Sequence, residues 1–418
     1  MRCVMKRVVF LTAALTLILF SCNKSPVGPA QNLPPRALTT AEKEIISSGN
    51  SFGFKLFQTV AASDRDSNVF ISPLSVSMAL GMTLNGANGT TYDSIRNTLG
   101  FNGLTQKEIN ENFKSLMSLL EGLDSKVIFQ IANSVWCRQN FQVEQDFITT
   151  NKSYFDAEVM ALDFSLPTAS QTINLWVDQK TNGKIQKIVP DRIDPLTMMY
   201  LINAIYFKGT WTYQFDSTNT RDTLFTLPDG KQTTCKMMHT DGYFDYAEND
   251  QYQAVDLPYG IGSFSMTIVL PKAGVDLNSF VNGFTENLWQ TLTREMQKEK
   301  GELYFPKFKL EYEKSLNEVL QLMGMGIAFD PETADFARIN KDQSLHLHIS
   351  SVTHKTFVNV DEVGTEAAAA TSVGIGTGAV LPTKPPFFMH VDHPFMLIIW
   401  DHYTEDLLFV GKILQPKL

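Results

Sequence analysis

The sequence predicts a single α+β domain running from about Ala41 to Leu418. Three observations carry this reading. Helical apolar spacing dominates the first part of that span and strand patterning the rest, no linker or internal repeat interrupts it, and the composition is that of an ordinary globular chain. Of 418 residues, 44% are hydrophobic and 19% charged, enough apolar side chain for a large core.

Within the span, Asn68 to Leu84 opens with the turn signal Ser72-Pro73. It continues through Val76, Met78, Ala79, Leu80 and Met82 as an apolar segment expected to form a buried helix. Helical spacing recurs at 106–123 and 170–181. Strand patterns follow at 201–207, 264–270, 303–312, 395–400 and 407–414. The last two flank the polar stretch 401–406 and predict a hairpin.

Ahead of this body, Arg2, Lys6 and Arg7 precede the apolar run Val8 to Phe20. That run is short for a membrane span but suits the core of a signal peptide, here residues 1–21. It ends in Leu19-Phe20-Ser21-Cys22, which resembles a bacterial lipobox. The resemblance implies acylation at Cys22 and attachment to the cell envelope, at the outer membrane or cell surface; a plain secretory signal cleaved elsewhere would give an extracellular protein. Pro26, Pro29, Pro34 and Pro35 make 22–40 an extended tether. The remaining cysteines, Cys137 and Cys235, have no metal or redox spacing and read as buried small apolar residues.

The formal charge of -9 becomes about -12 without the three basic signal residues, and no basic stripe is present, which argues against nucleic-acid binding. The sequence also lacks a nucleophile elbow, a helical zinc motif, a phosphate-binding glycine loop and a paired-cysteine metal site. His346 and His348 could share a strand face and hold a metal, but they read as polar residues of a surface strand. No cofactor is expected and the chain is not read as an enzyme.

The unusual segment is 362–379. At period two, Thr365, Ala367, Ala369, Thr371, Val373, Ile375 and Thr377 form one face, and Glu366, Ala368, Ala370, Ser372, Gly374 and Gly376 the other. Small side chains and the lack of proline from Gly364 to Leu381 would let such a strand slot between two others. Its alanines and glycines equally suit a flexible linker with a helical turn.

Gly364-Thr365-Glu366-Ala367-Ala368-Ala369-Ala370-Thr371 resembles the hinge of inhibitory serpins. Other segments are similar to family signatures in the same order: Asn68 to Ser75, Asn203 to Trp211, Phe305 to Phe308, His354-Lys355 as a helix end, Val358 to Glu362 as the strand entering the hinge, Val391 to Phe395 as the strand beyond the loop, and Leu408 to Lys412 as the terminal strand. The resemblance implies a fold of helices around a large central mixed β-sheet with further sheets, and an exposed reactive loop at about 362–386. It implies suicide inhibition of a serine protease as a covalent complex formed by a monomer. A non-inhibitory carrier or chaperone-like protein is the alternative. Ser72, Ser75, Asn203 and His354 would form the polar region where the sheet parts, with Trp211 at the top where insertion begins. Members of the family usually present the attacked residue sixteen positions after the glutamate that Glu362 resembles, so the resemblance implies Gly378-Ala379 as the reactive bond, with Ala379-Val380 or Val380-Leu381 as alternatives. A small side chain there suits elastase-like or subtilisin-like proteases.

Overall fold

The Thr39 hydroxyl accepts from the Glu42 N–H at 3.2 Å while the Glu42 carboxylate accepts from the Thr39 N–H at 2.8 Å. This reciprocal cap starts the first helix at Thr40. The computed structural model describes residues 36–194, 196–342, 346–365 and 385–418. The chain divides into 1–36 and Ala37–Leu418, and the architecture below is that of the second unit.

In chain order the elements are α1 (Thr40–Ser63), β1 (Val69–Ile71), α2 (Pro73–Leu84), α3 (Gly89–Leu99), α4 (Gln106–Glu121), β2 (Val127–Arg138), α5 (Gln145–Phe155), β3 (Glu158–Leu162), α6 (Pro167–Lys180) and β4 (Met199–Thr210). They continue with β5 (Arg221–Thr226), β6 (Gln232–Glu248), β7 (Tyr252–Tyr259), β8 (Phe264–Pro271), α7 (Leu277–Gly283), α8 (Glu286–Glu295), β9 (Gln297–Pro306) and β10 (Phe308–Ser315). Short helical turns occupy 317–329, and β11 (Thr353–Val360), β12 (Gly364–Thr365), β13 (Phe387–His390), β14 (Phe395–Asp401) and β15 (Leu407–Ile413) complete the chain.

One sheet has the order β10-β11-β12-β4-β2-β3, antiparallel except for the β2–β3 pair. The other runs β1-β15-β14-β8-β7-β6-β9-β13, with β5 on β6 and a parallel β9–β13 pair. The architecture is α+β with a central mixed sheet, as the sequence predicts.

Burial explains how the layers meet. Helix α2 carries little polar side chain and is buried almost all round, as the apolar run requires. Alternation along β4 gives the first sheet two covered faces: Phe207 joins the main core, while Ile202 and Ala204 pack under α6 with Trp136, Ile173 and Val177. Trp136 and Trp176 meet edge to face at 5.9 Å and lock α6 to that outer face.

Some elements depart from the sequence reading. The apolar stretch after Asn68 begins as strand β1, and the helix starts only at Pro73 behind the Ser72 cap. The run 303–312 is two strands in different sheets, because Pro306 and Lys307 turn the chain out of β9 and into β10. His354 and Lys355 lie within strand β11, not at a helix end. Val391 to Pro394 is a connection, and β13 precedes it. His346 and His348 lie before β11 in irregular chain, with His346 at a positive φ of 46°, so they share no strand face.

Candidate functional site

Strands β4 and β11 flank a seam in the first sheet. At its top Gly364 and Thr365 sit between them, Thr365 opposite Gly209 on one side and Val360 on the other. The approach is close: a Cβ on Gly364 would collide with the Gly209 carbonyl oxygen, and one on Gly209 would lie 2.6 Å from the Tyr259 ring. Glycine at both positions therefore has a steric cause. Thr365 is buried, and its hydroxyl shares a 2.5 Å hydrogen bond with the Tyr259 hydroxyl. Burial pushes the Tyr259 phenol well above its ordinary pKa, so it stays protonated.

Around this point the chain is fastened by several groups. Trp211 stacks on Tyr259 at 4.4 Å and donates from its indole to the Asp361 carbonyl at 2.9 Å. The backbone N–H groups of Trp211 and Phe215 donate to the carbonyls of Val363 and Glu362. The Glu362 carboxylate accepts from Lys307 at 2.7 Å and Thr220 at 2.8 Å. Burial acts to raise the Glu362 pKa, yet these donors outweigh it and hold the carboxyl below its usual range.

Lower on the seam lies a polar cluster. The Ser72 N–H donates to His354 Nε2 at 3.0 Å and the Ser72 hydroxyl to the Leu408 carbonyl at 2.7 Å. The Ser72 hydroxyl caps α2 by accepting from the Ser75 N–H at 3.3 Å, and the Ser75 hydroxyl lies 3.5 Å from the Asn203 carbonyl. The Asn203 amide donates to Asn133 Oδ1 at 2.8 Å, and Asn133 in turn to the Phe155 carbonyl at 2.7 Å. Burial lowers the His354 pKa to about 4, so the imidazole is neutral and can accept from Ser72. A cavity of about 320 Å³ opens beside this cluster, lined by Ser75, Val76, Leu201, Asn203, Ile349 and His354 among others.

The structure thus places Ser72, Ser75, Asn203 and His354 in one neighbourhood, and Trp211, Glu362, Gly364 and Thr365 in another at the head of the same seam. Glu366, Ala367, Ala368, Ala369, Ala370, Thr371, Gly378, Ala379, Val380 and Leu381 lie outside the described residues, as does Cys22. Cys137 and Cys235 are buried free thiols on β2 and β6. Sequence reading missed Tyr259, Lys307, Thr220 and Asn133. Lys307 sits in the quoted Phe305 to Phe308 signature, but its partner Glu362 is 55 positions away, and nothing local to Tyr259 marks a bond to Thr365. Among the described residues no cluster of three metal-ligating side chains occurs.

Residues 47–416 match the family described as Serpin (serine protease inhibitor), and the chain belongs to that family. Its members are in general protease inhibitors. The chain is 32% identical to an uncharacterised serpin-like protein of Thermococcus kodakarensis, covering 99% of this chain and all of that one. It is 35% identical to neuroserpin of Gallus gallus over 87% of this chain and 89% of the relative. Among solved structures, the native state of the thermophilic serpin tengpin superposes with a TM-score of 0.81 at 31% identity, covering 92% of this chain and 96% of that one. Thyroxine-binding globulin in complex with thyroxine gives 0.79 at 28% identity, covering 90% and 99%. That neighbour binds thyroxine, so the same fold also occurs in a protein named for binding a small ligand.

Proposed function

We propose that this serpin is a suicide inhibitor of serine proteases with a small-residue specificity pocket, of the elastase or subtilisin kind. The observation that carries the reading is the two-residue strand Gly364–Thr365, seated between β11 and β4 at the head of the seam. A protease attacks the carbonyl of Gly378, or alternatively of Ala379 or Val380, and forms an acyl-enzyme. Cleavage frees the loop from Thr365 onward, which continues the short strand down the seam.

Register gives this continuation a definite course. Thr365 opposes Gly209 and Val360, so a strand extended antiparallel without a bulge brings Thr371 between Asn203 and His354. A hydroxyl then arrives beside the polar cluster, where partners can be exchanged instead of lost. About fourteen residues at ~3.3 Å each would carry the tethered protease ~45 Å, across the molecule. Loop insertion of this kind is strand addition with release of stored strain, from a native state held by a kinetic barrier.

Export as a lipoprotein anchored at Cys22 belongs to the same proposal and rests on the lipobox resemblance. Purified protein mixed with pancreatic elastase, subtilisin and trypsin, then run on denaturing gels, tests the inhibitory reading. A covalent band stable to denaturant is expected with at least one small-pocket protease. Cleaved protein with no such band would replace inhibition by the carrier reading.

A further inference from the structure

In an asparagine-glycine pair the glycine nitrogen can attack the asparagine side-chain amide, because no Cβ on the glycine shields it. The chain holds five such pairs: Asn85-Gly86, Asn88-Gly89, Asn102-Gly103, Asn182-Gly183 and Asn282-Gly283. The fold ties down four of them. Asn85 is buried with its carboxamide bonded to Gln106, Asn110 and Asn151, and the Gly86 N–H donates to the Thr83 carbonyl at 2.9 Å. The Asn88 carboxamide donates to the Asp335 carboxylate at 2.9 Å. The Gly183 N–H donates to the Asp178 carbonyl at 2.7 Å, and Asn282-Gly283 is held within α7.

Asn102-Gly103 is left open. Both residues are exposed at the centre of the turn between α3 and α4, which is closed by the Leu104 N–H on the Phe101 carbonyl at 3.1 Å. Among the described residues neither the Asn102 carboxamide nor the Gly103 N–H has a hydrogen-bond partner. Arg96, in the last turn of α3, wraps this turn: its guanidinium donates to the carbonyls of Phe101 at 3.0 Å, Asn102 at 2.5 Å and Leu104 at 2.8 Å. The Asn102 carbonyl and the Gly103 N–H belong to one peptide group. A cation on its oxygen draws electrons from its nitrogen, so the N–H loses its proton more readily and the resulting anion is held by a charge-assisted hydrogen bond. The Glu44 carboxylate also lies beside Gly103 and opposes that anion, but without a bond to the peptide, and the directly bonded guanidinium outweighs it.

We infer that Asn102-Gly103 is a self-modification site at which Arg96 activates the peptide nitrogen for deamidation. The Gly103 nitrogen passes its proton to solvent and forms a bond to Cγ of Asn102. The bond from Cγ to the carboxamide nitrogen breaks, and that nitrogen leaves as ammonia. Water then opens the cyclic imide at either carbonyl, giving aspartate or isoaspartate at this position, so the balance is water in and ammonia out. The carboxylate formed has the Arg96 guanidinium as its neighbour, whereas one formed at Asn88 would face Asp335. The reaction is independent of the inhibitory reading and marks the age of a molecule with a negative charge on the α3–α4 turn.

The test incubates purified protein in mildly alkaline heavy-oxygen water, then locates the incorporated oxygen by digestion and mass spectrometry. Label is expected at Asn102 ahead of Asn85, Asn88, Asn182 and Asn282. Arg96→Gln is expected to slow labelling at Asn102 about tenfold, the loss of one charge-assisted hydrogen bond to the reacting peptide, while Arg96→Lys keeps most of the rate. Absence of label at Asn102, or faster labelling at any of the other four, would overturn the site. An Arg96→Gln rate equal to or above wild type would overturn the activating role of Arg96. So would an equal fall in Arg96→Lys, which would assign the effect to the shape of the turn.

Discussion

Thr365 and Tyr259, 106 positions apart in the chain, share a 2.5 Å hydrogen bond inside the sheet, so Thr365 is already seated between its neighbouring strands in the uncut protein. Thr365→Arg would force a cation into that buried position of the uncut sheet, or push the short strand out of the seam, at a cost of several kcal/mol. Once the strand is displaced, insertion has to bury the cation again; trapping is a race between insertion and deacylation, and ~1.4 kcal/mol on the insertion barrier shifts it about tenfold. The variant is expected to unfold at a lower temperature, to be cut at the same bond and to release active protease. Calorimetry and titration of protease activity against added inhibitor read the two effects; an unchanged unfolding temperature and stoichiometry would exclude Thr365 as a residue of the seam.

Cleavage of the loop between Gly376 and Leu381 by a non-target protease is expected to raise the unfolding temperature markedly. The freed strand gains ladder hydrogen bonds in the seam and fills the cavity beside Asn203. Scanning calorimetry of intact and nicked protein checks it. Coincident transitions would show that no strand had entered.

His354 links stability to pH. Its folded pKa of about 4 lies below the ordinary value of 6.5, so the unfolded chain binds more protons between them. Stability is complete above about pH 6.5 and is lost as pH falls toward 4, by on the order of 3 kcal/mol at this site. Protonation also sets an imidazole N–H against the Ser72 N–H. A His354→Gln variant is expected to be less stable at pH 7.5 yet to show a flatter decline from pH 6.5 to 4.5, measured by urea unfolding.

Asp406 acts in the opposite sense. It is buried in the β14–β15 turn with one carboxylate oxygen unpartnered, and burial followed by the neighbouring Asp401 charge pushes its pKa up to about 8. The folded state therefore holds a proton that the unfolded chain releases above about pH 4, and stability drains away as pH rises toward 8. Asp406→Asn keeps the shape and removes the charge. Its unfolding temperature is expected to gain on wild type progressively from pH 5 to pH 8; a constant offset would show that Asp406 does not titrate in this range.

Replacing Cys22 with Ala is expected to block acylation and leave a precursor that retains its signal sequence. Mass spectrometry of the membrane fraction distinguishes the outcomes. A mature protein with an unmodified terminus at another residue would exclude the lipid anchor.

Much of the architecture is local and was therefore readable from the chain. Pro73 behind Ser72 starts α2, the apolar runs at 264–270 and 395–400 are buried strands, and the polar stretch 401–406 makes the hairpin turn, because turn and periodicity signals act over a few residues. Of the stretch Gly364 to Thr371 the structure describes Gly364 and Thr365, which it seats between β11 and β4. What only the tertiary structure decided is which distant groups meet. The run 303–312 reads as one strand but divides between two sheets after Pro306, since sheet membership depends on long-range pairing and not on local preference. Lys307 reaches Glu362, Tyr259 reaches Thr365, and Asn203 on β4 donates to Asn133 on the neighbouring strand β2. Each is a hydrogen bond between side chains far apart in sequence, and its energy exists only once the sheet has closed around it.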